Sequence, residues 1–363
     1  MGRGVITYTI SYLSGVILPL VFPVNPVPLL LVTPLCCILS CLLKKHAIPF
    51  FVSSHIAFFA IGAGICSTTE YHQGEIKHPI IEKIVSTAEM LQEKAAEHLK
   101  TIADNPQNHA TLCAISIGEK RFMENDLKKS YSAAGAMHVL ALSGLHIGIA
   151  FAIIYSLLFP LTAIPGGAIA RNMLAVMFVV CYSIFSGCSP SVIRAAVMIF
   201  LYKIAEGKFR NISNWDAISI SALAILTISP LQVKSIGFQL SYCAVMGIAL
   251  LFPACNTAFK QAVPQWKGWK KNIWNGLYWL WCSLSISICC QIATLPATLY
   301  HFGYSAPYYL IANLAAVPLA TCILYTLTLT LCLQWIPIAG DFCIHVLNIL
   351  ISLLNAIVMY ISD

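Results

Sequence analysis

Long apolar runs constrain this chain more than any motif in it. Between Lys271 and Asp341 there is no Asp, Glu, Lys or Arg, and none occurs at 342–362. A helix of roughly 20 apolar residues can cross a bilayer, because it satisfies its own backbone hydrogen bonds. Only 10% of the 363 residues are charged, against about 25% in soluble domains. The sequence therefore predicts an all-α, polytopic integral membrane protein and excludes a soluble enzyme.

The apolar runs predict about eleven transmembrane helices. Pro23, Asn25 and Pro26 separate the first two, which could instead form a re-entrant hairpin. The predicted spans are 8–22, 27–43, 48–66, 135–159, 171–187, 190–205, 214–230, 236–253, 273–294, 307–333 and 342–361.

The distribution of charge predicts the orientation. With eleven alternating spans, the Lys and Arg residues of the short loops collect on one side, and Lys234 alone stands on the other. Because short cytoplasmic loops are enriched in Lys and Arg, we expect the N-terminus inside, residues 67–134 outside and the C-terminus outside.

A polar segment interrupts the membrane helices. Residues 70–129 hold ten of the fourteen acidic residues. Apolar residues at helical spacing predict an amphipathic helix over 81–99, a break at 104–106, and short helices at 110–118 and 124–132. The predicted organisation is therefore N-terminal membrane helices at 1–66, an extracytoplasmic helical segment at 67–134 and a transmembrane domain at 135–363. Cys66 and Cys113 bracket the segment and could form a disulfide if it is extracytoplasmic.

The first unusual motif is HVLALSGLHIG at 138–148, which we expect to open a spanning helix. It contains His138, Ser143, Gly144 and His146. Polar groups at membrane depth usually face a cavity or the bundle interior. Ser143 and His146 could form a nucleophile–base pair, but no acidic residue is near to orient the histidine. We expect a structural or pore-lining polar seam, with no catalytic residue.

The second motif is GCSPSVIRAAVM at 187–198. Ser189 fits an N-cap and Pro190 the first helical position, with Ser191 in the first turn. Arg194 lies one turn deeper in an apolar helix. Because helix N-termini favour anions, this pattern favours an anion site; the alternative is an arginine that extends to the membrane surface or bonds backbone carbonyls.

Further polar residues occur within the predicted spans, among them Gln239, Gln291 and Asn313. Together they indicate a bundle with a polar interior. Tyr304, Tyr308 and Tyr309 lie near the predicted outer face; they could stack bases, but tyrosine is common at such an interface and we favour that interpretation. The sequence has no P-loop, no HExxH and no histidine cluster, so we expect no cofactor and no bound metal.

These motifs, in this order, resemble the competence domain of the ComEC family. The resemblance runs from about residue 91 to 317 and rests on HVLALSGLHIG, SPSVIRA, GFQLS, TLP and NLAAVP. Members of that family are bacterial inner-membrane proteins that carry single-stranded DNA into the cell during natural transformation. The resemblance implies an inner-membrane channel and DNA uptake, with membrane lipid, single-stranded DNA and other competence proteins as partners. The motif residues that it implies line the DNA path are His138, Ser143, Gly144, His146, Ser189, Pro190, Ser191, Arg194, Gln239, Gln291 and Asn313.

The sequence departs from the family in two places. Family members usually carry an OB-like domain after the early spans, where residues 67–90 leave too little room for a barrel. They also often carry a metallo-β-lactamase-like domain, of which we find no sign, so we expect any nuclease to be encoded separately. Two other functions stay open at this point: a small-solute transporter, and an intramembrane hydrolase that uses Ser143 and His146.

Overall fold

The fold is helical throughout the residues that the structure, a computed structural model, describes. These are residues 2–21, 34, 38, 47–71, 79–207, 212–262, 271–303 and 308–362, and none of them forms a strand. The helices are α1 (Gly2–Val21), α2 (Ala47–Tyr71), α3 (Pro79–Ile102), α4 (Pro106–Ile117), α5 (Asn125–Ala133), α6 (Met137–Leu140), α7 (Gly144–Leu157), α8 (Gly167–Phe185), α9 (Pro190–Gly207), α10 (Asn214–Ile228), α11 (Ile236–Ala262), α12 (Lys271–Phe302), α13 (Tyr309–Leu333) and α14 (Pro337–Ser362).

Membrane helices account for much of this structure, which supports a helical membrane protein. Five described helices, α8 and α11 to α14, are long and apolar enough to cross a bilayer, and four shorter apolar helices accompany them. This is fewer than the eleven predicted spans. The predicted span at 27–43 and the turn before it lie outside the described residues, apart from positions 34 and 38.

The predicted span at 135–159 is not one helix, and this prediction is wrong. The chain forms α6, leaves helical geometry at 141–143 and begins again as α7. The reason is local: Ser143 has extended backbone angles and its side chain caps α7, so it starts a helix that hydropathy alone would continue.

The three helices expected in the polar segment are present as α3, α4 and α5. The break between α3 and α4 has a clear cause. Asn105 accepts a hydrogen bond from the backbone N–H of Asn108 at 2.8 Å, Pro106 follows at the first helical position, and Gly118 ends α4 with φ 79°. Cys66 and Cys113 are both buried free thiols.

The described helices group into two compact units. The first comprises Met1–Pro79 and Phe200–Gln239, and the second comprises Ile80–Ile199 and Leu240–Asp363. These units cut across the predicted segment boundaries at 66 and 134, and the side of the membrane on which each segment lies stays a prediction.

In the first unit, α1 and α2 cross at two glycines. A side-chain carbon on Gly15 would meet the carbonyl of Phe59, and one on Gly62 would meet the carbonyl of Tyr12. Small residues let helix backbones approach in this way in membranes. The Tyr12 hydroxyl then donates to the Leu226 carbonyl of α10 at 3.3 Å, which fixes a third helix to the pair.

In the second unit, α4 lies in the core, packed with α13 and α14. Asn348 of α14 donates to the Ile102 carbonyl at the end of α3 at 2.8 Å and accepts from the Asp104 N–H before α4 at 3.0 Å. Its Oδ1 also accepts from the Asn108 amide of α4 at 3.3 Å. Two turns further along α14, Asn355 Oδ1 accepts from Thr111 at 2.9 Å and from Tyr131 at 2.8 Å. Because these groups are buried, α4 and α14 are joined by polar contacts that fix their register.

Candidate functional site

The break between α6 and α7 is built around Ser143 and His146. The Ser143 Oγ accepts from the Leu145 N–H at 3.2 Å and lies 2.9 Å from His146 Nδ1, which in turn accepts from the Ser143 N–H at 3.4 Å. If Nδ1 accepts, the ring proton is on Nε2. His146 is 2% exposed and its Nε2 has no hydrogen-bond partner. A buried donor therefore remains available at the start of α7.

Arg194 lies against the start of the same helix. Its side chain is buried, and a carbon on Gly144 would lie 3.4 Å from guanidinium Nη2. Gly144 thus leaves the space that the guanidinium occupies. The guanidinium carbon is 5.7 Å from the centre of the Tyr242 ring. Gly144 and Arg194, from two motifs and 50 positions apart in the chain, meet here.

No carboxylate in the described part of the chain pairs with Arg194. The Arg194 Nε has no hydrogen-bond partner, and the charged and polarisable groups within electrostatic range are Tyr242 and Cys290. A buried cation is costly unless it is paired and hydrogen-bonded. This cation is therefore an expensive feature that the neighbouring side chains offset only weakly.

The turn before Arg194 is strained. Gly187 and Cys188 both have positive φ, 81° and 50°, and α9 begins at Pro190. Ser189 stands at the expected cap position and its carbonyl accepts from the Ile193 N–H at 3.0 Å. Its hydroxyl, however, is buried without a partner, so the side-chain cap that the sequence predicts is not formed. Ser191 is half-buried in the first turn.

A second group of polar residues surrounds Tyr309. The His138 ring lies 5.7 Å from the Tyr309 ring, and His138 Nδ1 is 3.1 Å from the Gly135 carbonyl. The Tyr309 hydroxyl is within interaction range of the Cys290 thiol and the Asn313 amide. Asn313 is 3% exposed and its Oδ1 has no partner. His138 and His146 are within electrostatic range of each other, which connects this group to the start of α7.

We call these side chains the polar cluster, and all of them belong to the second unit. Its members are His138, Ser143, His146, Arg194, Tyr242, Cys290, Tyr309 and Asn313. Three of them carry buried polar atoms without a partner, as do the adjacent motif residues Ser189 and Ser241. Because folded proteins pair nearly all buried polar groups, this concentration indicates groups that face water or a ligand during function.

Six predicted site residues are not members of the polar cluster as defined. Gly144, Ser189, Pro190 and Ser191 adjoin it around the starts of α7 and α9, and the other two are Gln239 and Gln291. Gln239 lies in the first unit, where its amide donates to the Val233 carbonyl at 2.9 Å. Gln291 follows Cys290 on α12, is half-buried and takes part in other interactions. Within the described residues, no three His, Cys, Asp or Glu side chains come together so as to hold a metal ion.

Sequence reasoning missed three members of the cluster. Tyr242 directly follows the GFQLS motif, so its position was a usable signal. Cys290 looked like a small apolar residue in a membrane helix, and Tyr309 looked like an ordinary interfacial tyrosine. Cys290 and Tyr309 join the cluster through contacts between α12, α13 and α9, which no local sequence pattern reveals.

Comparison with known proteins agrees with the motif pattern. A family model described as competence protein matches residues 115–363, which begins and ends later than the resemblance at 91–317. The chain is 26% identical over 263 residues to ComE operon protein 3 of Bacillus subtilis, covering 71% of this chain and 31% of that protein. It is 24% identical over 266 residues to Recombination protein 2 of Haemophilus influenzae, covering 70% and 32%.

The chain spans about a third of the length of these curated relatives. An uncharacterized protein of Aquifex aeolicus is 30% identical over 157 residues, covering 43% of this chain and 34% of that protein. No solved structure matches the chain.

Proposed function

Because the chain belongs to the competence protein family, we propose that it forms a path for single-stranded DNA across the bacterial inner membrane. The family and the apolar helices support a role in competence and a place in a membrane. The polar cluster is the observation that carries the finer proposal, since it puts buried, unpartnered polar groups among helices that are otherwise apolar.

In this proposal the cluster lines the passage. DNA strands are held in such channels by cationic groups that meet phosphates and by aromatic faces on which bases stack. Arg194 supplies the cation, and Tyr242, Tyr309 and His138 supply rings. About eleven spans, with the segment 67–134 outside, complete the proposed topology. A separately encoded nuclease and other competence proteins are the expected partners, and the chain itself is not an enzyme.

A transformation assay tests the proposal. Deletion of the gene should abolish transformation, and labelled DNA should accumulate outside the inner membrane without entering the cytoplasm. Asn313→Ala should lower uptake strongly, because it removes a buried amide of the cluster. Asn172→Ala is the matched control: Asn172 also has a buried oxygen without a partner, but it lies outside the motifs. Equal loss in both variants at equal protein level would contradict the proposed path.

One observation favours a second function. The 2.9 Å contact between Ser143 Oγ and His146 Nδ1 is the geometry of a nucleophile and its base. Against it, the same Oγ caps α7 by accepting the Leu145 N–H, and no described carboxylate orients the imidazole. Labelling of purified protein by a serine-directed fluorophosphonate probe, lost in Ser143→Ala, would favour the hydrolase. We expect no labelling.

A further inference from the structure

The three arginines whose side chains the structure describes differ in their partners. Arg121 forms an ion pair with Glu119 at 2.8 Å. Arg171 donates to the Tyr155 carbonyl at 2.8 Å and lies 3.5 Å from the centre of the Tyr155 ring. Arg194 is the most deeply buried of them, at 7% exposure, and its buried Nε has no hydrogen-bond partner.

The N-terminus of α7, against which Arg194 lies, makes the burial of its guanidinium still less favourable. Gly144 is the first residue of the 14-residue helix α7, and the N-terminus of a helix carries a partial positive charge. The guanidinium therefore lies beside a positive helix end, and its own helix α9 begins one turn away at Pro190. Like charges repel strongly when little water separates them. An anion between Arg194 and the start of α7 would turn this repulsion into two attractions.

We propose that Arg194 and the N-terminus of α7 form a binding site for one phosphate group, and that its occupant is a phosphodiester of single-stranded DNA. A phosphate fits the donors that are present. A guanidinium can meet two phosphate oxygens with parallel N–H groups. Ser143 Oγ already accepts the Leu145 N–H, so the start of α7 contributes mainly the positive end of its helix dipole, which favours an anion. His146 Nε2, also buried and unpartnered on α7, is a further donor on the same helix. The identity of the occupant rests on the proposed function; the phosphate site does not.

Two substitutions at Gly144 provide the sharpest test. Gly144→Asp puts a carboxylate at the guanidinium, where it would act as a built-in counter-anion and occupy the site. Gly144→Asn has nearly the same shape without the charge, and both introduce the same carbon 3.4 Å from Nη2. We expect the aspartate variant to unfold at a higher temperature than the asparagine variant in phosphate-free buffer. We also expect that phosphate does not raise the unfolding temperature of Gly144→Asp.

The measurement uses the full chain purified in maltoside detergent, which contains no phosphate. Inorganic phosphate, compared with chloride at equal ionic strength, should raise the unfolding temperature of the unsubstituted protein. A fluorescent oligothymidylate should bind, and its affinity should fall by about tenfold or more in Arg194→Gln, as expected for the loss of a charged hydrogen bond. Arg121→Gln is the control, since it removes an arginine that is exposed and already paired.

Several outcomes would overturn the site. The first is that phosphate raises the unfolding temperature equally in the unsubstituted protein and in Arg194→Gln. The second is that the two Gly144 variants unfold at the same temperature and phosphate shifts that temperature equally in both. If Arg194→Gln does not accumulate, the Gly144 pair decides alone. Competition by a short-chain phosphatidylglycerol but not by oligothymidylate would assign the site to lipid and reject the DNA occupant.

The site and the proposed function can fail separately. If phosphate binding depends on Arg194 but the deletion strain transforms normally, the site stands and the function is rejected. If deletion abolishes transformation but Arg194→Gln binds phosphate and transforms as the unsubstituted protein does, the function stands and the site is rejected.

Discussion

Cys188 has a backbone conformation that residues with side chains rarely adopt. Its φ is 50°, and it follows Gly187, which has φ 81°. Together they turn the chain from α8 into α9, so the strain at Cys188 lies six residues before Arg194. Such strain costs roughly 1–3 kcal/mol and often occurs at functional sites.

Cys188→Gly should therefore raise the unfolding temperature, with a gain of up to about 1 kcal/mol because glycine adopts positive φ without a steric penalty. Cys188→Val should lower it, since a β-branched residue at this φ is more strained than cysteine. Thermal unfolding in detergent measures both. Equal unfolding temperatures for the glycine and valine variants would show that the backbone at this position is not strained.

Single residues also show how far sequence reasoning reaches. Arg194 could be identified because a cation in an apolar run is conspicuous, and Pro190 correctly predicts the start of α9. The neighbour of Arg194, Gly144, could not be predicted as such, because two helices meet at that point through the tertiary fold. The unpaired Ser189 hydroxyl was also unpredictable, since a strained turn prevents the cap that its residue type favours.

Among pairs of helices, the crossing of α1 and α2 makes the firmest prediction. Gly15→Ala should destabilise the protein by about 1–3 kcal/mol or more, because the added methyl meets the Phe59 carbonyl and the helices have to separate. Gly148→Ala is the matched control, since a carbon there meets nothing within 4 Å and alanine favours helix. Unfolding temperatures and expression level of the two variants give the comparison. A Gly15→Ala protein as stable as Gly148→Ala would mean that the crossing is loose.

The bonds of Asn348 on α14 to the end of α3 and the turn before α4 make a different prediction, about polar groups. Asn348→Leu removes the partners of the Ile102 carbonyl and the Asp104 N–H. Each buried group left unpaired costs roughly 1–3 kcal/mol, so a large loss of stability is expected. Ser352→Ala should cost less, since Asn108 keeps its bonds to Asn348. Denaturation in detergent should rank the two variants in this order; the reverse order would contradict the network.

Helix existence was predictable, but some helix boundaries were not. The amphipathic spacing predicted α3, and the sequence Asn105–Pro106 predicted its break from α4. The division of 135–159 into α6 and α7 was missed, because an apolar run without proline or a charge gives hydropathy no reason to end a helix.

The membrane orientation is a property of the whole chain and can be tested as such. An alkaline phosphatase reporter should be active after Arg121, which is exposed, and at the C-terminus, because the basic loop residues place both outside. A cytoplasmic reporter should be active between α9 and α10, in the loop that contains Lys208 and Arg210. The site after Arg121 is preferable to Asn105, whose side chain caps a buried helix. Cytoplasmic activity at both outer positions would reject the orientation.

The bonds between α4 and α14 have a consequence for how the molecule is assembled in the cell. Asn108 and its partner Ser352 are 244 residues apart, so the ribosome finishes α4 long before it makes α14. At about 5–20 residues per second this delay is roughly 12–50 s. During that interval the side chains of Asn108 and Thr111 lack their partners on α14, and the face of α4 that α14 buries is uncovered. The helix at the centre of the second unit is thus among the last to reach its final place, and insertion of α14 is the step that completes its core.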